Sequence, residues 1–175
     1  MTLLIEGIKM NEKKFKKYIY GALFAALTFV ATFVVKIPIP ASGGYIHPGD
    51  GIYLAAAILL GPLAGGFAGA IGSAAADIVG GYIPFVIPTF IIKGVSGFIV
   101  GKIYGDKSAE TSKKALAFIL YALIICGGYF IADYIITSSV AACVPELFFN
   151  MIQSAAGIVF ALLISRVLKK VDIKG

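Results

Sequence analysis

The sequence predicts an all-α, polytopic membrane protein: a bundle of six transmembrane helices with both termini in the cytoplasm. The first observation is composition, because 59% of the 175 residues are hydrophobic and only 14% are charged, whereas about a quarter of the residues of soluble domains are charged. The second is a series of apolar blocks near the roughly 20 residues that cross about 30 Å of hydrocarbon as helix. The third is the grouping of basic residues, which fixes the number of helices.

Four apolar blocks have the length of single transmembrane helices. They are Tyr18–Val35, Pro84–Val100, Ala115–Ile136 and Glu146–Val167. The remaining block, Gly51–Tyr82, is too long for one ordinary span and short for two. Its Gly61-Pro62 step predicts a tight turn, since glycine readily ends a helix and proline readily begins one.

The basic residues decide between one helix and two in this block. Of the 15 basic residues, 13 lie in the clusters Lys9–Lys17, Lys102–Lys114 and Arg166–Lys174. A hairpin of two short helices places all three clusters on one side, and cytoplasmic loops are the ones that collect Lys and Arg. We therefore predict a cytoplasmic segment at residues 1–14, one membrane domain at 15–169 and a cytoplasmic tail at 170–175. The net charge of +6 is then a signal of orientation and does not predict nucleic-acid binding.

Polar side chains inside the predicted helices lie toward the outer side of the membrane. Each charge near a helix centre costs about 2.5 to 3.5 kcal/mol, so each requires a reason. Asp77 and Lys93 lie near the outer ends of the third and fourth helices, where they can pair with each other or bind a ligand. Tyr129 and Asp133 form an i, i+4 pair on the fifth helix.

The strongest local pattern is a polar stripe on the sixth helix. Glu146, Asn150 and Gln153 follow one another at i, i+4 and i+7 and so share one face. Such side chains can simply join neighbouring membrane helices by hydrogen bonds. Three of them on one face, opposite Asp133 and Lys93, favour a hydrated pocket that opens to the outside.

Aromatic residues crowd the same outer half and can stack on a planar ring, although aromatics at membrane interfaces are also common anchors. Tyr45, Tyr82 and Tyr129 are the candidates for ligand contact among them. His47, the only histidine of the chain, lies in the first outer loop and is a further candidate. Several acids against a single lysine argue against a polyanionic ligand.

An enzyme is not predicted. The phrase Gly94-Val95-Ser96-Gly97 matches the GxSG of rhomboid intramembrane proteases, but a nucleophilic serine needs a base within hydrogen-bond reach. His47 is the only histidine, and it lies in the first outer loop. The sequence contains neither an HExxH zinc motif nor a GxxxxGK[ST] phosphate loop. We therefore expect no catalytic residues, cofactor or metal, and no hydrolysis of ATP by this chain.

Three phrases resemble those of a known family: HPGDG, LLGPLAGGFAGAIGSAAADIVGGY and PTFIIKGVSGFIVG. Together with a short second helix and the small residues Ala22 and Ala26 in the first, they resemble the substrate-binding S component of energy-coupling factor (ECF) vitamin transporters, of the riboflavin-type or uncharacterised group. The resemblance covers about Lys13–Lys169 and is most specific over Ile37–Gly101.

The resemblance implies a high-affinity capture subunit in the plasma membrane of a prokaryote. Such a subunit takes a vitamin or precursor from outside and then docks on a transmembrane T component driven by two cytoplasmic ATPases. Ala22 and Ala26 match the docking motif of the family. A solitary facilitator that uses no ATPase is the alternative. As substrate we expect a compact heterocycle such as pyridoxine or hydroxymethylpyrimidine first, riboflavin second and a non-aromatic vitamin third.

The first loop, KIPIPASGGYIHPGDG, is interpreted as a lid over the pocket. Pro38 and Pro40 stiffen its descent from the first helix, and Ser42-Gly43-Gly44 gives it a pliable middle. Asp50 is expected either to cap the second helix or to latch the loop together with His47.

Overall fold

The computed structural model describes residues 12–39, 44–106 and 108–169. Within these ranges the chain forms six α-helices: α1 Glu12–Val34, α2 Gly49–Leu60, α3 Pro62–Gly80, α4 Val86–Gly105, α5 Thr111–Thr137 and α6 Val140–Leu168. Five of the helices in the described ranges, all except α2, are long and apolar enough to cross a membrane. The predicted polytopic helical membrane protein is confirmed. The predicted terminal segments, 1–14 and 170–175, and the loop residues Pro40, Ser42 and Gly43 lie wholly or partly outside the described residues.

The predicted hairpin turn at Gly61-Pro62 is confirmed. α2 ends at Leu60 and α3 begins at Pro62, with Gly61 between them at a φ of 92°. This left-handed conformation favours glycine, which has no Cβ to clash with the backbone. Because α2 has 12 residues, it is about 18 Å long and cannot cross the membrane alone. Eleven of those residues are buried, so α2 is the central element of the bundle.

The small residues of α3 let it pack closely against three other helices. A Cβ added to Gly69 would lie 2.7 Å from the carbonyl oxygen of Lys93 in α4, and one added to Gly72 would lie 2.6 Å from that of Ala25 in α1. A Cβ on Gly65 would overlap the side chain of Ala57 in α2. The run of glycines is therefore used for packing within the bundle, as small residues are in other membrane helices.

The sixth helix begins earlier than predicted. The predicted block begins at Glu146, directly after Pro145, whereas α6 starts at Val140 and contains Pro145. Only Ser138 and Ser139 connect α5 to α6. Pro145 lacks the N–H that would bond to the carbonyl of Ala141, and the helix continues past it. Ser138 ends α5 with a φ of 53°. The polar stripe of α6 consequently begins more than a turn inside the helix.

The first loop folds back on itself between α1 and α2. A short strand β1, Ile37–Pro38, pairs antiparallel with β2, Tyr45–Ile46, and places Ile37 opposite Ile46. The pairing brings residues 44–48 across the end of the bundle at which α3 ends and α4 begins.

Candidate ligand site

The first loop covers a small cavity between α3, α4, α5 and α6. The cavity has a volume of about 20 Å³. Ten residues line it: Gly44, Tyr45, His47, Asp77, Phe85, Thr89, Tyr129, Glu146, Asn150 and Gln153. Seven of these were predicted from the sequence as ligand-binding residues. The structure thus brings most of the predicted set to one place, while Tyr82, Lys93 and Asp133 lie outside the lining.

One edge of the loop is fastened to α3 and to the turn that follows it. The Tyr45 hydroxyl donates a hydrogen bond to Asp77 Oδ1 at 2.6 Å, and the Tyr45 ring packs on the Tyr82 ring with a centroid distance of 4.4 Å. Lys36 Nζ lies 4.9 Å from the Tyr45 ring centre and 5.0 Å from that of Tyr82, within range of a cation–π interaction. Burial, together with the Asp77 charge, raises the pKa of Tyr45 well above its usual value, so its hydroxyl stays a donor.

The other edge of the loop is fastened to the polar stripe of α6. The backbone N–H of His47 donates to Gln153 Oε1 at 2.8 Å. A Cβ on Gly44 would lie 2.6 Å from both carboxylate oxygens of Glu146, so this carboxylate lies directly against the loop backbone. Asn150 Nδ2 in turn donates to Glu146 Oε1 at 3.3 Å. The stripe predicted as a pocket wall is therefore also the surface on which the loop rests.

His47 is held inside the loop as a neutral ring. Its Nδ1 accepts a hydrogen bond from the N–H of Gly49 at 3.2 Å and lies 3.2 Å from Thr32 Oγ1 of α1. A ring whose Nδ1 accepts carries its proton on Nε2. Burial lowers the pKa of His47 to about 3. The predicted latch between His47 and Asp50 is indirect: the His47 ring contacts α1 and its own loop, and Gln153 links the His47 backbone to Asp50.

A buried ion pair lies below the cavity. Lys93 Nζ is 2.7 Å from Asp50 Oδ1 and 2.8 Å from Oδ2, and both side chains are 0% exposed. The Tyr121 hydroxyl donates to Asp50 Oδ2 at 2.6 Å, and Gln153 Nε2 donates to the same oxygen at 3.2 Å. Four residues from α2, α4, α5 and α6 thus meet at one carboxylate, which is called the Asp50 node below (Asp50, Lys93, Tyr121, Gln153).

Two predictions about Lys93 and Asp50 are wrong. Lys93 does not pair with Asp77, because its ammonium group is held by Asp50. Asp50 does not cap α2, since the start of that helix has no side-chain cap bond. An aspartate at the first turn of a helix is typical of a cap. A carboxylate buried among apolar side chains instead requires a cation and donors, and Lys93, the one buried lysine among the described residues, supplies the charge.

Tyr129 and Asp133 lie four residues apart on α5 as predicted, but they do not bond to each other. The Tyr129 hydroxyl donates to Thr89 Oγ1 of α4 at 3.0 Å. The Asp133 carboxylate is buried, and neither of its oxygens has a hydrogen-bond partner among the described residues. Thr89 and Phe85 line the cavity but were not predicted to do so. Phe85, Thr89 and Lys93 follow one another at a spacing of four, which places residues on one face of a helix.

The two remaining predicted features concern Ser96 and α1. Ser96 is buried, and its hydroxyl lies 3.1 Å from both the Tyr53 hydroxyl and the Lys93 carbonyl oxygen, which is a packing role rather than a nucleophile beside a base. Ala22 and Ala26 are exposed on α1. Ala22 also borders an apolar surface groove of about 810 Å³ between α1, α3 and α4.

Comparison with known proteins agrees with this arrangement. The family model of the ECF-type riboflavin transporter S component matches residues 12–170. A protein of Lactococcus lactis subsp. cremoris (strain MG1363), named thiamine precursor transporter HmpT, is 30% identical over 166 residues, which cover 94% of each chain. An uncharacterized protein of the gap 3' region of Pyrococcus woesei is 37% identical over 141 residues, 81% of this chain and 93% of the relative.

The predicted family is therefore confirmed over almost the whole chain, and with it a transport rather than an enzymatic role. The helical bundle, the loop-covered polar cavity and the sequence match point to the same conclusion. This multi-pass membrane protein belongs to the ECF-type riboflavin transporter S component family, whose members serve in vitamin uptake.

Proposed function

We propose that this chain captures a vitamin or vitamin precursor at the outer face of a prokaryotic plasma membrane and delivers it by docking on an ATP-driven T component. The observation that carries the proposal is the cavity in which polar and aromatic groups of the first loop and four helices converge. Polar side chains in a membrane bundle are costly unless they serve a site. Here Glu146, Asn150 and Gln153 are all at least 95% buried and face that cavity.

The first loop is the lid of this site. The closed cavity of about 20 Å³ has room for about one water molecule, whereas pockets for small molecules measure about 300–1,000 Å³. A ring-shaped ligand therefore enters only when the loop moves. The loop is held by single hydrogen bonds to α1, α3 and α6 and by a ring contact to the turn after α3. Each of these contacts is worth about 1 kcal/mol. Such contacts can break and re-form on binding.

The charges around the cavity favour a neutral or weakly basic ring. Asp77 and Glu146 are the ionisable acids of the lining, and the charge of Lys93 is already used by Asp50. A phosphate ester would meet two acids in a lining whose described residues include no lysine or arginine, which is unfavourable. Tyr45 and Tyr129 offer faces for stacking. We expect pyridoxine or hydroxymethylpyrimidine to bind first and riboflavin second. The L. lactis relative is named for transport of a thiamine precursor, and the family is named for riboflavin.

Ligand titration of the purified protein tests the binding step. Hydroxymethylpyrimidine, pyridoxine and riboflavin are titrated separately by calorimetry, and mass spectrometry identifies any small molecule that co-purifies. Asn150→Leu is expected to weaken the preferred ligand at least about tenfold, or about 1.4 kcal/mol, because it removes a buried donor from the lining. Met151→Leu is the matched control, since Met151 is 59% exposed on the opposite face of α6. No binding of any ring ligand, or equal affinity in Asn150→Leu, contradicts the proposed site.

Uptake in vesicles tests the docking step. Ala22→Trp and Ala26→Trp place a large side chain on the exposed face of α1, so they are expected to abolish uptake driven by the T component and its ATPases while ligand affinity is retained. Leu123→Trp on α5, where Leu123 is 63% exposed, is the matched control and should transport normally. Uptake that proceeds without the ATPases would instead establish the solitary facilitator.

A further inference from the structure

The two ends of one side-chain amide join the first loop to the buried ion pair. Gln153 Oε1 accepts the N–H of His47 at 2.8 Å, and its Nε2 donates to Asp50 Oδ2 at 3.2 Å. This orientation of the amide satisfies both partners, because the flipped amide would set a donor against a donor and an acceptor against a carboxylate. Gln153 is 5% exposed, so water cannot easily replace either bond.

The Asp50 carboxylate is held by donors from three other helices. Lys93 and Tyr121 fix the Asp50 carboxylate from α4 and α5 with bonds of 2.6 to 2.8 Å. A charge buried at this depth is stable only while its donors stay in place. The position of Asp50 therefore sets the position of the Gln153 amide, and through it the point at which the loop is held.

We infer that Gln153 is a positioning residue that couples closure of the lid to the Asp50 node, so that the packing of α2, α4, α5 and α6 depends on whether the lid is shut. The inference rests on the proposed ligand-capture function. Loss of the His47 bond leaves the Gln153 oxygen without its partner and weakens the hold of its nitrogen on Asp50. A shut lid stabilises both bonds. A change in the loop is in this way transmitted to the four helices that meet at the node.

Amide hydrogen exchange in the unliganded protein, reconstituted in lipid nanodiscs, tests the coupling without reference to any ligand. Gln153→Leu is expected to speed exchange of the loop segment 44–48 about tenfold, since one lid hydrogen bond is lost. The decisive variant is Tyr121→Phe, which removes a donor from Asp50 and belongs to α5 rather than to the loop. It is expected to speed exchange of the same segment at least about threefold.

Tyr104→Phe is the matched control. Tyr104 lies near the far end of α4, where its ring packs on Phe118. Removal of its hydroxyl should leave amide exchange of segment 44–48 unchanged. Melting temperatures of all variants are measured alongside, so that exchange caused by global unfolding is recognised by faster exchange throughout the helices.

Each outcome is decisive. Faster exchange of the loop in both Gln153→Leu and Tyr121→Phe supports the coupling. Faster exchange in Gln153→Leu alone makes Gln153 a local anchor of the loop and overturns the inference. Exchange that is unchanged in both also overturns it. None of these results depends on whether a vitamin binds, so failure of the coupling and failure of the proposed function are separate findings.

Discussion

Replacement of Lys93 by methionine tests whether this residue is structural or binds ligand. Its ammonium group lies 2.7 and 2.8 Å from the two oxygens of Asp50, and both side chains are 0% exposed. Lys93→Met keeps the length of the side chain but leaves the Asp50 carboxylate buried without a counter-charge. Breaking a buried pair in this way costs about 3–5 kcal/mol. At about 2–4 °C per kcal/mol for a protein of this size, the melting temperature should fall by about 6–20 °C.

Thermal unfolding of the purified protein in detergent measures the effect, and two further variants define its cause. Asp50→Asn in the Lys93→Met background removes the orphaned charge, so the double variant should recover at least half of the lost melting temperature. Lys102→Met makes the same substitution on the same helix at an exposed position, where removal of a surface charge changes stability by about 1 kcal/mol or less.

Two results would refute the reasoning. A Lys93→Met protein that melts like the wild type but no longer binds ligand would make Lys93 a ligand contact and the ion pair secondary. A double variant that is no more stable than Lys93→Met would show that the buried charge of Asp50 is not the source of the instability.

Three further predictions concern the lid, an unpaired acid and a helix contact. Because burial lowers the pKa of His47 from 6.5 to about 3, the closed lid excludes the protonated ring. Ligand affinity should therefore be constant above about pH 6.5. It should fall toward acid pH by at most about tenfold per pH unit. The His47→Gln protein should bind the ligand with equal affinity at pH 5 and pH 7.5. A wild-type affinity that does not change between these pH values would contradict the role of His47. Asp133→Asn should raise the melting temperature, since an unpaired buried charge is costly, with less than a twofold change in affinity; a larger loss of affinity would place Asp133 in the site. Gly97→Ala should destabilise the protein by about 1–3 kcal/mol, because its Cβ would lie 2.5 Å from the Gly65 carbonyl oxygen, whereas Gly127→Ala, with nothing within 4 Å, should be tolerated.

The helical architecture follows from local signals, and these are present in the sequence. The Gly61-Pro62 turn combines a residue that tolerates a positive φ with one that favours the first turn of a helix, so the break between α2 and α3 is determined by two adjacent residues. The stripe of Glu146, Asn150 and Gln153 is equally local, because helical periodicity alone places the three on one face. Pro145 was misjudged because a proline near the start of a long helix is tolerated once packing holds the preceding turn.

The partners of the buried charges could not be predicted in this way. Asp50 meets Lys93 across 43 positions in the sequence, Tyr121 across 71 and Gln153 across 103. No periodic pattern links residues so far apart, since their meeting depends on how four helices are arranged around α2. Asp77 and Lys93 lie on helices joined by a tight turn and are therefore plausible partners by sequence. Lys93 instead reaches Asp50, because the packing of α2 against α4 places that carboxylate 2.7 Å from its ammonium group.

The closed lid leaves one oxygen of Asp77 open to a ligand. The Tyr45 hydroxyl donates to Oδ1 at 2.6 Å, whereas Oδ2 has no hydrogen-bond partner among the described residues. A donor on the ligand can therefore add a hydrogen bond to a charged acceptor, which contributes about 1.5–3 kcal/mol, without displacing Tyr45. The faces of Tyr129 and Phe85 add the burial of the apolar area of the ring. Affinity should therefore rise with both a donor on the ring and its buried area, whereas Asp77 and Glu146 disfavour anions.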